Sequence, residues 1–476
     1  MSILLTIMLV VLGAFVWAAI MFRWRLGVFA LVIYTPFTGL VVAAFSPSPV
    51  GNLMRDFLVV IPLYFAFALT RRSGDRMGLP FGFLVLAAIF TTLVAINSAI
   101  GHTSGTMVAL LGAKIWLFYI PLTAVAAAYA RDKADLLTLM RLFVVMGWIP
   151  CVVGLLMWIG AINYGQKAAV EFLYGEFARG ATQGFVAFKI GSSTIYRIPG
   201  TFQFAAQYSM FCIFMIFPIL MQLRLEVSRN WRLFGYATLA LVIAAALTSG
   251  SRGNFLHLPF LLLIIGGLRV GFGRGSSMMV VFGLMVFGAV LLSQFDESAL
   301  IDHVADLAAL NGRGIVLGGL TYAIENAGPW GIGIGAGTAA SRHVGDIAEF
   351  ARLGQFVTIE NYYAKAWMEM GFLGFVTIVA LFLYLIFYGI QATGRVRDGQ
   401  LRDVALVVVA MVIFMAYIST RGWALDQDPM AYYYWLMLGI MFKIPLLDAA
   451  QSPRSADAQR VGGLRPLTPA PHLARH

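Results

Sequence analysis

Cysteine and charge are both scarce in this chain of 476 residues, which has two cysteines and only 12% Asp, Glu, Lys and Arg. Cys151 and Cys212 lie inside apolar runs, far along the chain from any second Cys or His at ligand spacing. They support neither a disulfide framework nor a metal site, and both read as packing residues. Soluble domains carry roughly 25% charged residues, so this chain lacks the polar surface to face water on all sides. Hydrophobic residues make up 60%, and mean hydropathy is +0.85. A nucleic-acid-binding module, a disordered scaffold and a disulfide-stapled secreted domain are excluded, and nucleic acid is not an expected partner.

Long apolar runs are what the sequence has instead. They are continuous, whereas the strands of a membrane barrel alternate over about 10 residues, and they approach the ~20 residues that a helix needs to cross a bilayer. The fold expected is an all-α polytopic membrane protein, a bundle of about 12–13 transmembrane helices. Spans fall near 2–22, 26–45, 53–70, 80–97, 110–130, 138–162, 203–223, 234–249, 255–268, 278–293, 371–392, 404–419 and 429–447. The first run has no basic residue before it, no small-residue cleavage site, and Arg23 and Arg25 after it, which predicts an uncleaved anchor with its amino end outside.

Orientation follows from the basic residues. If Arg23 and Arg25 are cytoplasmic, the alternate breaks holding Arg71, Arg72, Arg76, Arg131, Lys133, Arg141, Arg224, Arg229, Arg232, Arg269, Arg274, Arg395, Arg397 and Arg402 are cytoplasmic too. Short breaks on the other side hold only Arg55, Lys114, Arg252 and Arg421. Positive residues inside is the usual rule, so one orientation satisfies the whole chain. Residues 1–450 form one membrane domain, with two extracytoplasmic insertions at about 163–202 and 294–370. Their aromatic residues, among them Phe172, Tyr174, Tyr196, Trp330 and Phe356, predict ordered segments. The tail 451–476 has the composition of a disordered cytoplasmic segment.

Four arginines stand at outer ends of apolar runs: Arg197, Arg252, Arg313 and Arg421. A guanidinium presents a planar fork of donors that matches phosphate oxygens in pairs, so arginines converging there suit a lipid-linked diphosphate. Taken singly, an arginine at a span end also snorkels to headgroups or pairs with a carboxylate. Arg313 follows Asn311 and Gly312 and precedes Leu317, Leu320 and Ile324 at helical spacing, which predicts a helix start with free N–H groups. The titratable residues of the second insertion, Asp302, His303, Asp306, Glu325, His343, Asp346, Glu349, Glu360 and Glu369, are candidates for proton transfer; most read as solvated surface, and Glu360 and His343 stand out as candidates for a general base. His257 reads as a polar contact near the interface or a proton carrier. The run Gly331-Ile-Gly-Ile-Gly-Ala-Gly337 has no βαβ context and reads as a turn with close helix contacts rather than a dinucleotide site.

Several short pieces, in order, together resemble the O-antigen ligase and polymerase family of bacterial envelope glycan assembly. They are Arg197-Ile-Pro-Gly-Thr-Phe202, Ser251-Arg-Gly253, Gly312-Arg313 with Pro329-Trp-Gly-Ile-Gly-Ile-Gly335, and Asn361-Tyr-Tyr363 through Glu369-Met-Gly-Phe-Leu-Gly374. The resemblance implies metal-independent, cofactor-free, inverting glycosyl transfer from an undecaprenyl-diphosphate-linked glycan on the periplasmic side of the bacterial inner membrane. It implies that Arg252 and Arg313 hold the diphosphate; Arg197 is a further candidate for that role, and Asn361, Arg421 and His257 are candidates for supporting the site. The implied partners are the lipid-linked donor, a glycan or lipid-linked acceptor, membrane lipids, a chain-length regulator and export machinery. Ligases of the family carry a histidine near the Asn segment. Here Glu360 stands beside Asn361, which favours a polymerase of repeat units over a ligase that moves the finished glycan to a lipid A-core acceptor. A secondary transporter is the alternative from another class.

Overall fold

The computed structural model describes residues 3–45, 50–71, 77–100, 106–175, 188–190, 193–251, 253–268, 316–338 and 361–451. Its helices are α1 (Ile3–Phe22), α2 (Trp24–Phe45), α3 (Val50–Thr70), α4 (Phe81–Ile100), α5 (Thr106–Tyr129), α6 (Lys133–Tyr164) and α7 (Gln166–Tyr174). A short antiparallel hairpin, β1 (Phe188–Ile190) and β2 (Ser193–Ile195), pairs Phe188 with Ile195. The remaining helices are α8 (Ala205–Leu225), α9 (Arg229–Thr248), α10 (Asn254–Gly267), α11 (Val316–Ala327), α12 (Tyr362–Arg395), α13 (Gly399–Ile418) and α14 (Met430–Ala450). Ten of these, α2–α6, α8, α9 and α12–α14, are long and apolar enough to cross a membrane. Each coincides with a span expected from the sequence. Two further expected spans correspond to the shorter apolar stretches Val11–Phe22 and α10. The expected span 278–293 and the tail 452–476 lie outside the described residues. The chain is an all-α, multi-pass membrane protein.

Lipid offers backbone groups no hydrogen bonds, so each span closes its own. Helix starts are satisfied by side chains: Asp132 accepts from the Asp135 N–H at 2.8 Å, Asp398 from Leu401 at 2.9 Å, and Asn361 from Tyr363 at 2.9 Å and Ala364 at 3.1 Å. Central position belongs to α8 and α14, in each of which 83% of the spanning residues are buried, against 17% for the peripheral α4. Gly439 lets α14 lie against the second half of α5, since a Cβ there would stand 2.2 Å from the Thr123 carbonyl oxygen. Small residues at a crossing bring backbones together where lipid gives no hydrophobic drive. The two cysteines, distant in sequence, meet between α6 and α8 with their sulfurs 3.9 Å apart, both buried and free.

Ion pairs gather at two ends of the bundle. At one, Arg25 pairs with Asp135, Lys133 with Asp398 (2.6 Å), Arg141 with Glu226 through two bonds of 2.7 and 2.8 Å, and Arg224 with Asp403 (3.8 Å). At the other, Arg55 pairs with Asp56 and Asp428, Lys114 with Asp56, and Lys365 with Asp426. Among the described residues, each pair joins segments that the arginine distribution assigns to the same face. The first end is the basic face.

Two boundaries differ from expectation. Helix α12 begins at Tyr362, so the last residues of the expected insertion 294–370 belong to a helix; hydropathy stops at Lys365 and Glu369, but both are buried and paired internally. Helix α11 forms where Leu317, Leu320 and Ile324 predict one, yet its buried face is Ala323 and Ala327, packed with Ala364 and Met368, while Ile324 is exposed.

Two outcomes are expected. Gly439→Val overpacks the α5–α14 crossing by at least the usual 1–3 kcal/mol or so, and the variant should lose its monodisperse peak in detergent chromatography. Hydrogen bonds from Arg141 hold the Glu226 carboxyl below its ordinary value; at Asp398, burial is outweighed by the bonds from Lys133 and Leu401, with the same result. Carboxyls depressed in the folded state stabilise it fully above their unfolded values, near about 4, and that stability is lost as pH falls through the lower folded values. Melting temperature should therefore fall as pH is lowered below that range, and Arg141→Gln should flatten the fall.

Candidate functional site

Opposite the basic face, buried charge is held by a change of helical pitch. Pro62 in α3 has no N–H to give Leu58, and its ring crowds that carbonyl. The preceding turn, Asp56–Val60, is a widened π-helical turn, a feature that recurs at functional sites. It follows directly on Arg55, so that two charged residues, 4% and 3% exposed, stand side by side inside the bundle. Arg55 contacts Asp56 at 3.3 Å and Asp428, and its guanidinium lies 4.3 Å from the centre of the Tyr432 ring. Asp56 also receives Lys114 and a 2.5 Å hydrogen bond from the Tyr432 hydroxyl. Single buried charges are costly, and these are matched on every side.

The second part of the network is built on a carboxylate with no exposure at all. Glu369 accepts hydrogen bonds from the Trp116 indole (2.7 Å), the Gly335 and Gly337 N–H groups (3.0 and 2.9 Å) and the Thr338 hydroxyl (3.2 Å). The glycine-rich turn is therefore an anion-binding nest whose anion is a side chain of the same protein. It docks where α12 breaks: Gly371, at φ +67°, frees backbone groups, so that Phe372 N–H donates to Pro329 O (2.9 Å) and Ile332 N–H to Met368 O (2.8 Å). One turn away, Lys365 pairs with Asp426, and its ammonium lies 4.6 Å from the centre of the Trp116 ring. Burial raises the Asp426 carboxyl above its ordinary value, and Glu369 adds to this, while Lys365 opposes it.

Asp426 and Asp428 belong to the segment 419–429 between α13 and α14, which is thereby strapped to α12 at one point and to α3 at another. This strap carries Arg421. Its guanidinium lies 5.1 Å from the centre of the Tyr417 ring, and the His257 ring meets the same tyrosine edge-on at 5.8 Å. Asn361, buried, caps α12 beside the strap, where Tyr362 N–H donates to Ser419 O at 2.8 Å. Arg197 is linked to the start of α10: the adjoining Ile198 N–H donates to Ser249 O (3.0 Å), and Ser249 is tied through the Asn254 amide (3.1 Å) to the first turn of α10, which carries His257. Gln166 fixes the Arg197 carbonyl at 2.8 Å, and Tyr174 fixes Gly200 and Phe202. Of the residues singled out in the sequence, Arg197, His257, Asn361 and Arg421 are thus brought to one end of the bundle. Arg252, Arg313, His343 and Glu360 lie outside the described residues, although Ser251 and Gly253, on either side of Arg252, belong to this end.

Neither a protein-family model nor any curated protein matches the chain. Sequence reading missed Arg55, Asp56, Lys114, Lys365, Asp426 and Asp428 as a set, and grouped Glu369 with carboxylates that are mostly solvated surface, whereas it is fully buried. The one local signal was Pro62 a turn after an Arg-Asp pair in an otherwise apolar run. Among the described residues, no three His, Cys, Asp or Glu side chains gather as metal ligands.

Removing one member of a buried pair strands the other and typically costs about 3–5 kcal/mol, whereas replacing both with apolar residues is often neutral. Lys365→Met should therefore lower the melting temperature of the purified protein strongly. Lys365→Met combined with Asp426→Leu should recover most of that loss.

Proposed function

We propose that this chain is an inverting glycosyltransferase of the bacterial inner membrane. It takes an undecaprenyl-diphosphate-linked glycan on the periplasmic side and joins repeat units of a surface or exported polysaccharide. The observation that carries the reading is the placing of Arg197, His257, Asn361 and Arg421 at the end of the bundle opposite the basic face, the end to which Ser251 and Gly253 also belong. Arg197 and Asn361 belong to two of the pieces of sequence that carry the resemblance to O-antigen ligases and polymerases. Transfer from such a donor leaves a diphosphate on which negative charge develops, and prepositioned guanidinium groups stabilise that charge. Arg252, Arg313 and Arg197 are assigned to the diphosphate. Glu360, or His343, is assigned to removing the proton from the acceptor hydroxyl, with Asn361, Arg421 and His257 in support.

Buried charge within spans favours a second reading, a secondary transporter, because such proteins keep coupling residues near mid-membrane. Asp56 and Glu369 weigh less for it than their depth suggests. Lys114, Arg55 and Tyr432 already contact Asp56, and four donors already engage Glu369.

Deleting the protein and extracting lipid-linked sugars separates the readings. Accumulated single repeats are expected. Long lipid-linked chains would instead mean a ligase, and unchanged lipid pools with altered uptake would mean a transporter. Arg252→Ala and Arg313→Ala should each lower transfer by about 100- to 1,000-fold, the scale of losing one charge-stabilising donor, with insertion and abundance intact. Normal product chain lengths from either variant would remove that role. Glu360→Gln and His343→Ala, assayed separately, identify the base by which one abolishes transfer.

A further inference from the structure

The strap between α13 and α14 contains an unusual concentration of buried polar atoms without hydrogen bonds. Ser419 Oγ, Arg421 Nε, Trp423 Nε1 and Asp426 Oδ1 make none among the described residues, and neither does His257 Nδ1 beside them. Ser419 is fully buried, His257 is 6% exposed and the Asp426 side chain 10%. Buried groups of this kind are normally satisfied, so a cluster of them marks a place where something else supplies the partners.

The chemistry of the set narrows what that is. Arg421 Nε and Trp423 Nε1 only donate, Ser419 Oγ does both, and Asp426 Oδ1, with the Lys365 ammonium on the other oxygen, accepts. A phosphate offers acceptors alone and would meet the Asp426 carboxylate with like charge. A sugar hydroxyl donates and accepts at once, and so matches both kinds of atom. The half-buried Trp423 and Tyr417 add aromatic faces that suit the C–H side of a pyranose ring.

We infer that Ser419, Arg421, Trp423 and Asp426 form a subsite for a sugar ring of the glycan, distinct from the arginines assigned to its diphosphate. The identity of the ligand as glycan rests on the glycosyl-transfer reading. The Lys365–Asp426 and Arg55–Asp428 pairs hold the segment that carries these residues to α12 and α3.

The test uses the full-length protein in nanodiscs, titrated calorimetrically with repeat-unit oligosaccharide released by mild acid from the host's lipid-linked pool, and separately with inorganic diphosphate. Trp423→Phe keeps the ring and removes the N–H; Ser419→Ala removes the hydroxyl. Each should weaken oligosaccharide binding by about tenfold, as expected when a buried donor is lost, and leave diphosphate binding unchanged. Matched melting curves establish that the variants are folded. Oligosaccharide binding that is absent from the parent protein, or unaltered in both folded variants, overturns the subsite. A loss of diphosphate binding in the variants with oligosaccharide binding intact overturns it too, in favour of an anion site. Binding that depends on Trp423, in a protein whose deletion leaves lipid-linked pools unchanged, sustains the subsite while removing glycosyl transfer as its purpose.

Discussion

A carboxylate inside a lipid-surrounded bundle has no water to fall back on, so its negative charge must be answered by groups the protein itself supplies. Glu369 is answered by an indole, a hydroxyl and two peptide N–H groups. Meeting that demand ties α5 to α12 and folds the 331–337 turn against both. It also requires the break at Gly371, because only a broken helix offers the turn free backbone groups to dock on. Asp56 makes the same demand on the other side of the site, and its answer draws α3, α5 and α14 together. The arrangement of this end of the molecule is in large part the solution to two buried negative charges.

The two ends of the bundle use charge differently. On the basic face the pairs are partly exposed and link neighbouring helix ends, as between Lys133 and Asp398. Such pairs contribute little singly. At the opposite end Arg55, Asp56 and Lys365 are almost wholly enclosed. Enclosed pairs are weak evidence for stability but can fix geometry. Here what they fix is the strap that carries Arg421.

Much of this architecture is legible in the order of residues. Spans are visible because some twenty apolar positions in a row have few other uses, and the grouping of arginines such as Arg23, Arg25 and Arg131 matches the ends at which ion pairs form. That Arg197 and Arg421 stand at the same end of the bundle was also foreseeable from their places at span ends. The network was not. Nothing near Asp56 in sequence announces Lys114, Asp428 or Tyr432, and the groups that neutralise Glu369 include peptide N–H donors, which no residue letter encodes. Helix α11 shows the same limit on a smaller scale: periodicity identifies the helix, but not the face that packs, and Ala323 and Ala327 turn inward in place of Ile324.

Tyr432 lies 376 residues after Asp56, to which it donates a hydrogen bond. At ribosomal rates of about 5–20 residues per second, roughly 20 to 75 seconds separate the synthesis of the two. During biogenesis the early helices must therefore enter the bilayer carrying an acidic group whose final ligand does not yet exist, with Lys114 arriving much sooner to shield it. Membrane insertion of this protein thus has a vulnerable interval written into its topology, one that ends only when the last helix slots into the middle.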